Sequence, residues 1–178
     1  MKPILRVFFS VTFVIGLILP ALSNAETRWQ QPPREILDVL HAPDLPGALL
    51  SPTHDTMVLV EALRYPPVSD LAQPMLKLAG ERINPRTNGM HADNYYIAMT
   101  LKRLADGREI KVELPRDARV NGFNWSADGQ RFTFNNRTGD AVELWVCDAA
   151  TGATRRIAGL RLNPVLGWPV TWMPDQKT

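Results

Sequence analysis

Trp125-Ser126-Ala127-Asp128-Gly129-Gln130-Arg131-Phe132-Thr133-Phe134, continued by Glu143-Leu144-Trp145-Val146-Cys147-Asp148-Ala149-Ala150-Thr151-Gly152, is the stretch that decides the fold. A bulky apolar residue is followed by a tight polar turn, and then by alternation of period two. Ser and Asp close such a turn by bonding its backbone, and Gly129 accepts a φ that a β-carbon resists. Arg131 to Asn135, Val142 to Cys147 and Thr154 to Ile157 read as strands, the last two joined across Asp148 to Gly152, a second Gly-containing hairpin loop.

The unit recurs. Leu50-Ser51-Pro52-Thr53-His54-Asp55-Thr56-Met57-Val58-Leu59 lies 75 residues before the quoted stretch, and Trp172-Met173-Pro174-Asp175-Gln176-Lys177-Thr178 begins 47 residues after it. Repeats of about 40–50 residues with four strands each are the sequence sign of a β-propeller. The expected fold is therefore all-β: a partial propeller of about two blades plus the start of a third, with Ser51, Pro52, Trp125, Ser126, Asp128, Gly129, Asp148, Gly152, Trp172, Pro174 and Asp175 as its turn residues. Such rings take roughly four to eight blades. The chain thus reads as cut before closure, with its last repeat halting where a strand should begin.

Working outward, Thr56 to Glu61 alternates as a strand, and so do Tyr95 to Leu101 and Glu109 to Glu113, which join across Ala105-Asp106-Gly107. Between them, residues 64–94 hold Pro66, Pro67, Pro74 and Pro85. They read as an insertion in the first blade, with a helical turn or two over Asp70 to Leu78. Residues 26–49 form a proline-rich segment with one short helix, Arg34 to His41, started by Pro32-Pro33 and ended by Pro43. The propeller is expected over 50–178.

Residues 1–25 carry the three-part layout of a secretory signal peptide. Lys2 and Arg6 precede the uncharged run Val7 to Leu19, Pro20 breaks it, and Ser23-Asn24-Ala25 suits cleavage between Ala25 and Glu26. The run of 13 residues spans about 20 Å as a helix, short of the roughly 30 Å hydrocarbon core. The expected location is exported, periplasmic or secreted, with the membrane met only through the export signal. Its removal takes two bases and no acid from 20 Lys+Arg and 18 Asp+Glu, so the remainder is neutral. Nothing basic then recommends nucleic acid as a partner. Cys147, the one cysteine, forbids an internal disulfide and reads as a small buried apolar side chain.

The quoted repeat, Trp125 to Gln130 followed by Glu143 to Gly152, resembles blades of TolB-like proteins and of the prolyl oligopeptidase family. Upstream, Pro32-Pro33-Arg34-Glu35-Ile36-Leu37-Asp38-Val39-Leu40-His41-Ala42-Pro43, Leu50-Ser51-Pro52 and Leu71 to Pro85 look like the N-terminal region of exported prolyl oligopeptidase family serine peptidases, closest to the glutamyl endopeptidase-like branch. The resemblance implies a parent with an N-terminal propeller that restricts peptide access and a C-terminal α/β-hydrolase domain that cleaves after acidic residues through a Ser-Asp-His triad. The partners it implies are that domain, the remaining blades and peptides. That family's nucleophile sits in G-x-S-x-G. None of Ser10, Ser23, Ser51, Ser69 and Ser126 has glycine at both those positions. No catalytic, metal or cofactor-binding residue is therefore assigned, and the chain is expected to be inactive by itself. The alternative is a TolB-like periplasmic module that binds other proteins.

Other candidates read as structural. His41, His54 and His91 lack metal-site spacing. Asn124-Trp125-Ser126 and Asn136-Arg137-Thr138 match the glycosylation sequon. Arg82, Arg86, Arg103 and Arg108 form a basic group around the insertion, read as a solvated face.

Overall fold

A computed structural model describes residues 30–91 and 94–175. The signal cleavage pair Ala25 and Glu26, and the last residues of the third repeat, lie outside the described residues. The chain divides into two compact units, Met1–Ala42 and Pro43–Thr178. In the first, helix α1 (Arg34–Leu40) follows Pro33 at its N-cap and carries Glu35 in its first turn, where a carboxylate suits the helix dipole.

The second unit is antiparallel β. Strands β1 (Gly47–Leu50), β2 (Thr56–Ala62), β6 (Tyr96–Arg103) and β7 (Glu109–Lys111) pair in the order of the chain. Strands β8 (Val120–Trp125), β9 (Arg131–Arg137), β10 (Val142–Asp148) and β11 (Thr154–Arg156) repeat that arrangement. These are two four-stranded meanders, and the pair Tyr96↔Val120 bridges them into one sheet.

Alternation explains why they pack. Val58, Val60, Met99, Leu101 and Val112 of the first meander meet Val120, Phe132, Phe134 and Cys147 of the second in one buried cluster. Phe132 is the hub: it lies 4.9 Å from the Trp125 ring and between 6.2 and 6.3 Å from those of Phe123 and Phe134. Aromatic contacts of this geometry add about 0.5–1.5 kcal/mol each beyond area burial.

The segment between β2 and β6, read from sequence as an insertion with a helical turn or two over Asp70 to Leu78, is built differently. Helix α2 is a single turn, Val68–Leu71, and residues 76–90 form a three-stranded sheet, β3 (Leu76–Leu78), β4 (Glu81–Asn84) and β5 (Gly89–Met90). Pro74 ends the helical stretch, and Ala79-Gly80, both at positive φ, turn the chain into the hairpin. The first meander also starts earlier than expected, since Gly47–Leu50 is a full strand paired with Met57–Val60. Leu50 corresponds in sequence to Trp125 but is 47% exposed, and its neighbour Leu49 packs on the core instead.

Candidate functional site

The predicted turn residues build the same device twice, at one end of the two meanders. Ser51 is buried; its N–H donates to Thr56 O (2.8 Å), its carbonyl accepts from His54 N–H (3.0 Å), and its hydroxyl accepts from Thr56 N–H. Ser126 does the same 75 residues later, with Arg131 O (2.9 Å), Gly129 N–H (2.9 Å) and Arg131 N–H (3.0 Å). His54 and Gly129 both hold positive φ, 57° and 68°. The acid differs. Asp128 accepts from Ser126 Oγ (2.6 Å) and Gln130 N–H, whereas Asp55 accepts from Thr53 and Ser51 hydroxyls. Those bonds hold both carboxyls below the usual carboxylate range, Ser126 being the main cause for Asp128 and Thr53 for Asp55.

The two turns touch. A β-carbon on Gly129 would collide with Thr53 Oγ1 and stand 3.2 Å from its Cγ2. The Asp148–Gly152 loop closes on its first residue, Asp148 Oδ1 accepting from Ala150 N–H, Thr151 N–H and Thr151 Oγ1. It sits on the edge of the first meander: Glu113 N–H donates to Gly152 O (3.0 Å), Thr154 Oγ1 donates to Glu113 O, and a β-carbon on Gly152 would meet Lys111 O at 2.9 Å. Of the third repeat, Trp172 Nε1–H donates to Asn124 O (2.9 Å), and Asn124 Nδ2 donates to Val170 O, so the chain returns beside β8. Pro174 and Asp175 lie in a turn there.

The opposite end carries a polar pocket of about 350 Å³, lined in part by Asp70, Asn84, Arg116, Arg119, Asn136 and Arg137. Its floor is unusual. Asp70, on α2, is 4% exposed. Tyr95 O–H donates to its Oδ2 (3.0 Å), and Arg119 Nη1 lies 2.7 Å from its Oδ1, although no hydrogen bond of good direction reaches that oxygen. The ion pair is the contact that matters, because charge attraction depends on distance far more than on angle. The guanidiniums of Arg119 and Arg137 both lie over the Tyr95 ring, at 5.5 and 5.4 Å. Burial raises the Tyr95 phenol, and its bond to Asp70 and that carboxylate's charge raise it further, against the opposing pull of the two arginines. The backbone locks the arginines in place: Arg119 N–H donates to Asn136 Oδ1, and Arg137 N–H donates to Arg119 O.

These residues escaped sequence reasoning. Asp70 and Tyr95 are 25 residues apart and meet only through the insertion. The basic group proposed from sequence is not one group: Arg103 and Arg108 line a groove at the turn end with Asp55, Asp128 and Asp148, while Arg82 and Arg86 stay on the insertion. Cys147 is fully buried, and burial pushes its thiol up to about 12. Asn136 is buried, and the Asn124 amide is bonded to Val170, so neither sequon presents a free acceptor in the folded chain.

No family model matches the chain. Mostly β and antiparallel, with no closed barrel among the described residues, the chain is similar in sequence to proteins named as peptidases. It is 34% identical over 145 residues to "Probable glutamyl endopeptidase, chloroplastic" of Oryza sativa subsp. japonica, covering 75% of this chain and 16% of that protein. The Arabidopsis thaliana protein of the same name is 30% identical over 139 residues, covering 72% of this chain and 14% of the relative. The chain therefore spans about a sixth of the length of the curated relatives it matches. A solved structure described as a dipeptidyl aminopeptidase IV, from Bacteroides ovatus, covers 61% of the chain and 16% of its own at 16% identity and a TM-score of 0.39.

Proposed function

We propose that this chain is the peptide-gating, non-catalytic propeller portion of an exported serine peptidase of the prolyl oligopeptidase type, in the glutamyl endopeptidase-like branch. Sequence relationship to proteins named for glutamyl endopeptidase activity carries the reading. The repeat supports it: two meanders of four strands, with the same serine-centred turn recurring 75 residues apart, are what successive propeller blades require. The serines fit a structural role, for the Ser51 and Ser126 hydroxyls are buried and committed to turn closure. Peptides are the expected ligands, and the hydrolase domain of the parent is the expected partner.

The test is direct. The 178-residue chain is treated with a fluorophosphonate serine-hydrolase probe and, separately, with a fluorogenic Glu-containing peptide. The reading expects neither covalent labelling nor hydrolysis; either one rejects the non-catalytic role. Export is tested by mass spectrometry of the chain recovered from a periplasmic fraction, where a mature terminus at Glu26 is expected and an intact Met1 terminus contradicts it.

A further inference from the structure

We infer that the cleft between β8–β9 and the segment returning over them binds an uncharged heteroaromatic ring that carries a hydrogen-bond donor beside an acceptor on one edge, as adenine does. The returning segment is tied down on both sides: Leu162 N–H donates to Val142 O (2.8 Å), and Trp172 Nε1–H donates to Asn124 O (2.9 Å). Between those ties, Asn121, Gly122, Asn135, Pro164, Gly167 and Trp168 line a cleft of about 280 Å³. Asn135 alternates with Phe134 along β9, so its side chain leaves the aromatic core and enters this cleft. It is 3% exposed, and among the described residues no hydrogen bond reaches its carboxamide. Buried amides are nearly always bonded, and leaving one unmet is costly. Asn135 therefore holds a donor and an acceptor, side by side, for whatever enters.

The wall beside it is aromatic. Trp168 is 72% exposed, and Gly122 lets its indole and the Asn135 amide come together. Gly122 holds φ 68°, and a β-carbon there would collide with Asn135 Nδ2 and stand 2.8 Å from Asn135 Cγ and 3.0 Å from Trp168 Cζ3. An exposed indole beside an unpartnered carboxamide matches a ring with flat apolar faces and one polar edge: a face stacks, and the edge takes two hydrogen bonds. Among the described residues no charged side chain lines the cleft. An adjoining cleft of about 610 Å³ shares Asn121, Gly122 and Trp168 and gives room for a substituent on the ring; Arg64, which lines it, is paired with Asp44. A neutral ligand follows, since a charged one would give up hydration for no counter-charge. A sugar fits less well. Its hydroxyls point in every direction, whereas Pro164, the two glycines and the indole offer them little.

The experiment titrates the full chain with four probes and follows it by proton–nitrogen NMR. Adenosine offers the ring and the donor–acceptor edge, purine riboside keeps the ring but lacks the amine, N-methylacetamide has a donor and an acceptor without a ring, and glucose is the sugar. Adenosine should bind with a Kd on the order of millimolar and move the Asn135 Nδ2 and Trp168 Nε1 resonances together. Purine riboside should bind about fivefold more weakly, the loss expected of one neutral hydrogen bond, and the other two more weakly still. Trp168→Ala should weaken adenosine about tenfold, as loss of a stacking platform does. Tyr65→Ala, which removes an exposed aromatic outside both clefts, should leave binding unchanged. Trp168 is mostly exposed, so the variant's spectrum away from the cleft should overlay the parent's; if it does not, the Asn135 and Trp168 shifts in the parent decide. No binding of adenosine, binding that leaves those two resonances in place, any of the other probes binding as tightly, or a Trp168→Ala variant that binds like the parent would each overturn the inference. None of these outcomes bears on the labelling and hydrolysis assay, so failure here is separable from failure of the proposed function.

Discussion

Substitution of Gly129 by alanine probes the contact between the two repeat turns. Gly129 holds φ 68°, and its position faces Thr53. Any β-carbon there meets two separate penalties. The first is conformational: a left-handed φ costs a non-glycine residue about 1–2 kcal/mol, offset by about 0.4–1 kcal/mol from the stiffer unfolded chain. The second is steric: Thr53 is β-branched and cannot swing aside freely, and overpacking of this kind costs about 1–3 kcal/mol. Gly107 supplies the control, for it holds φ 70° with nothing within 4 Å of an added β-carbon. Gly107→Ala should therefore cost about 1 kcal/mol and Gly129→Ala about 2–4 kcal/mol. Urea unfolding of the two variants at 25 °C reads the difference. The cycle with Thr53→Ala isolates the contact, since removing Oγ1 and Cγ2 leaves only Thr53 Cβ, at 3.4 Å. In that background Gly129→Ala should cost no more than Gly107→Ala. Equal costs for the two glycines in the parent, or a coupling near zero, would refute the juxtaposition of the turns.

Other expectations are simpler to state. Phe132→Ala, at the centre of the shared core, should cost about 3–5 kcal/mol by urea titration, whereas Leu50→Ala, on the exposed face, should cost less than about 1 kcal/mol. Tyr95→Phe should cost about 1–3 kcal/mol at neutral pH by leaving Asp70 Oδ2 without its donor. Because the folded chain holds the Tyr95 proton above the usual value of 10.0, that part of the stability is complete below pH 10 and is lost as pH rises through the folded value; the parent should lose stability relative to Tyr95→Phe over that range. Cys147 should resist a thiol reagent at pH 8 in the native chain and react fully in urea, since burial both shields the thiol and keeps it protonated.

Sequence made the β architecture legible where side chains alternate and turns announce themselves. Arg131 to Cys147 was readable because Phe132, Phe134, Trp145 and Cys147 fall on one face and Gly129 and Gly152 mark the bends. Strand β8 was not, for Val120-Asn121-Gly122-Phe123-Asn124-Trp125 lacks alternation: its register with β9 shifts between Asn121 and Asn124, and Gly122 sits at positive φ. Strands β3 to β5 were hidden for a different reason. They are two to four residues long and mostly exposed, so no buried face imposes a pattern. The pocket was the least legible part. Asp70, Tyr95, Arg119 and Arg137 come from a helical turn and the ends of separate strands, and only pairing of β6, β8 and β9 gathers them. Arg116-Asp117-Ala118-Arg119, a charged corner entering β8, is the local signal that could have pointed there.

Native-state amide hydrogen exchange of the 178-residue chain bears most directly on whether the two repeats form one scaffold. The account predicts that the slowest amides lie together in β2, β6, β9 and β10, among them Phe134 and Cys147, and exchange at one common free energy. Protection restricted to a single meander, or two sets that open independently, would contradict it.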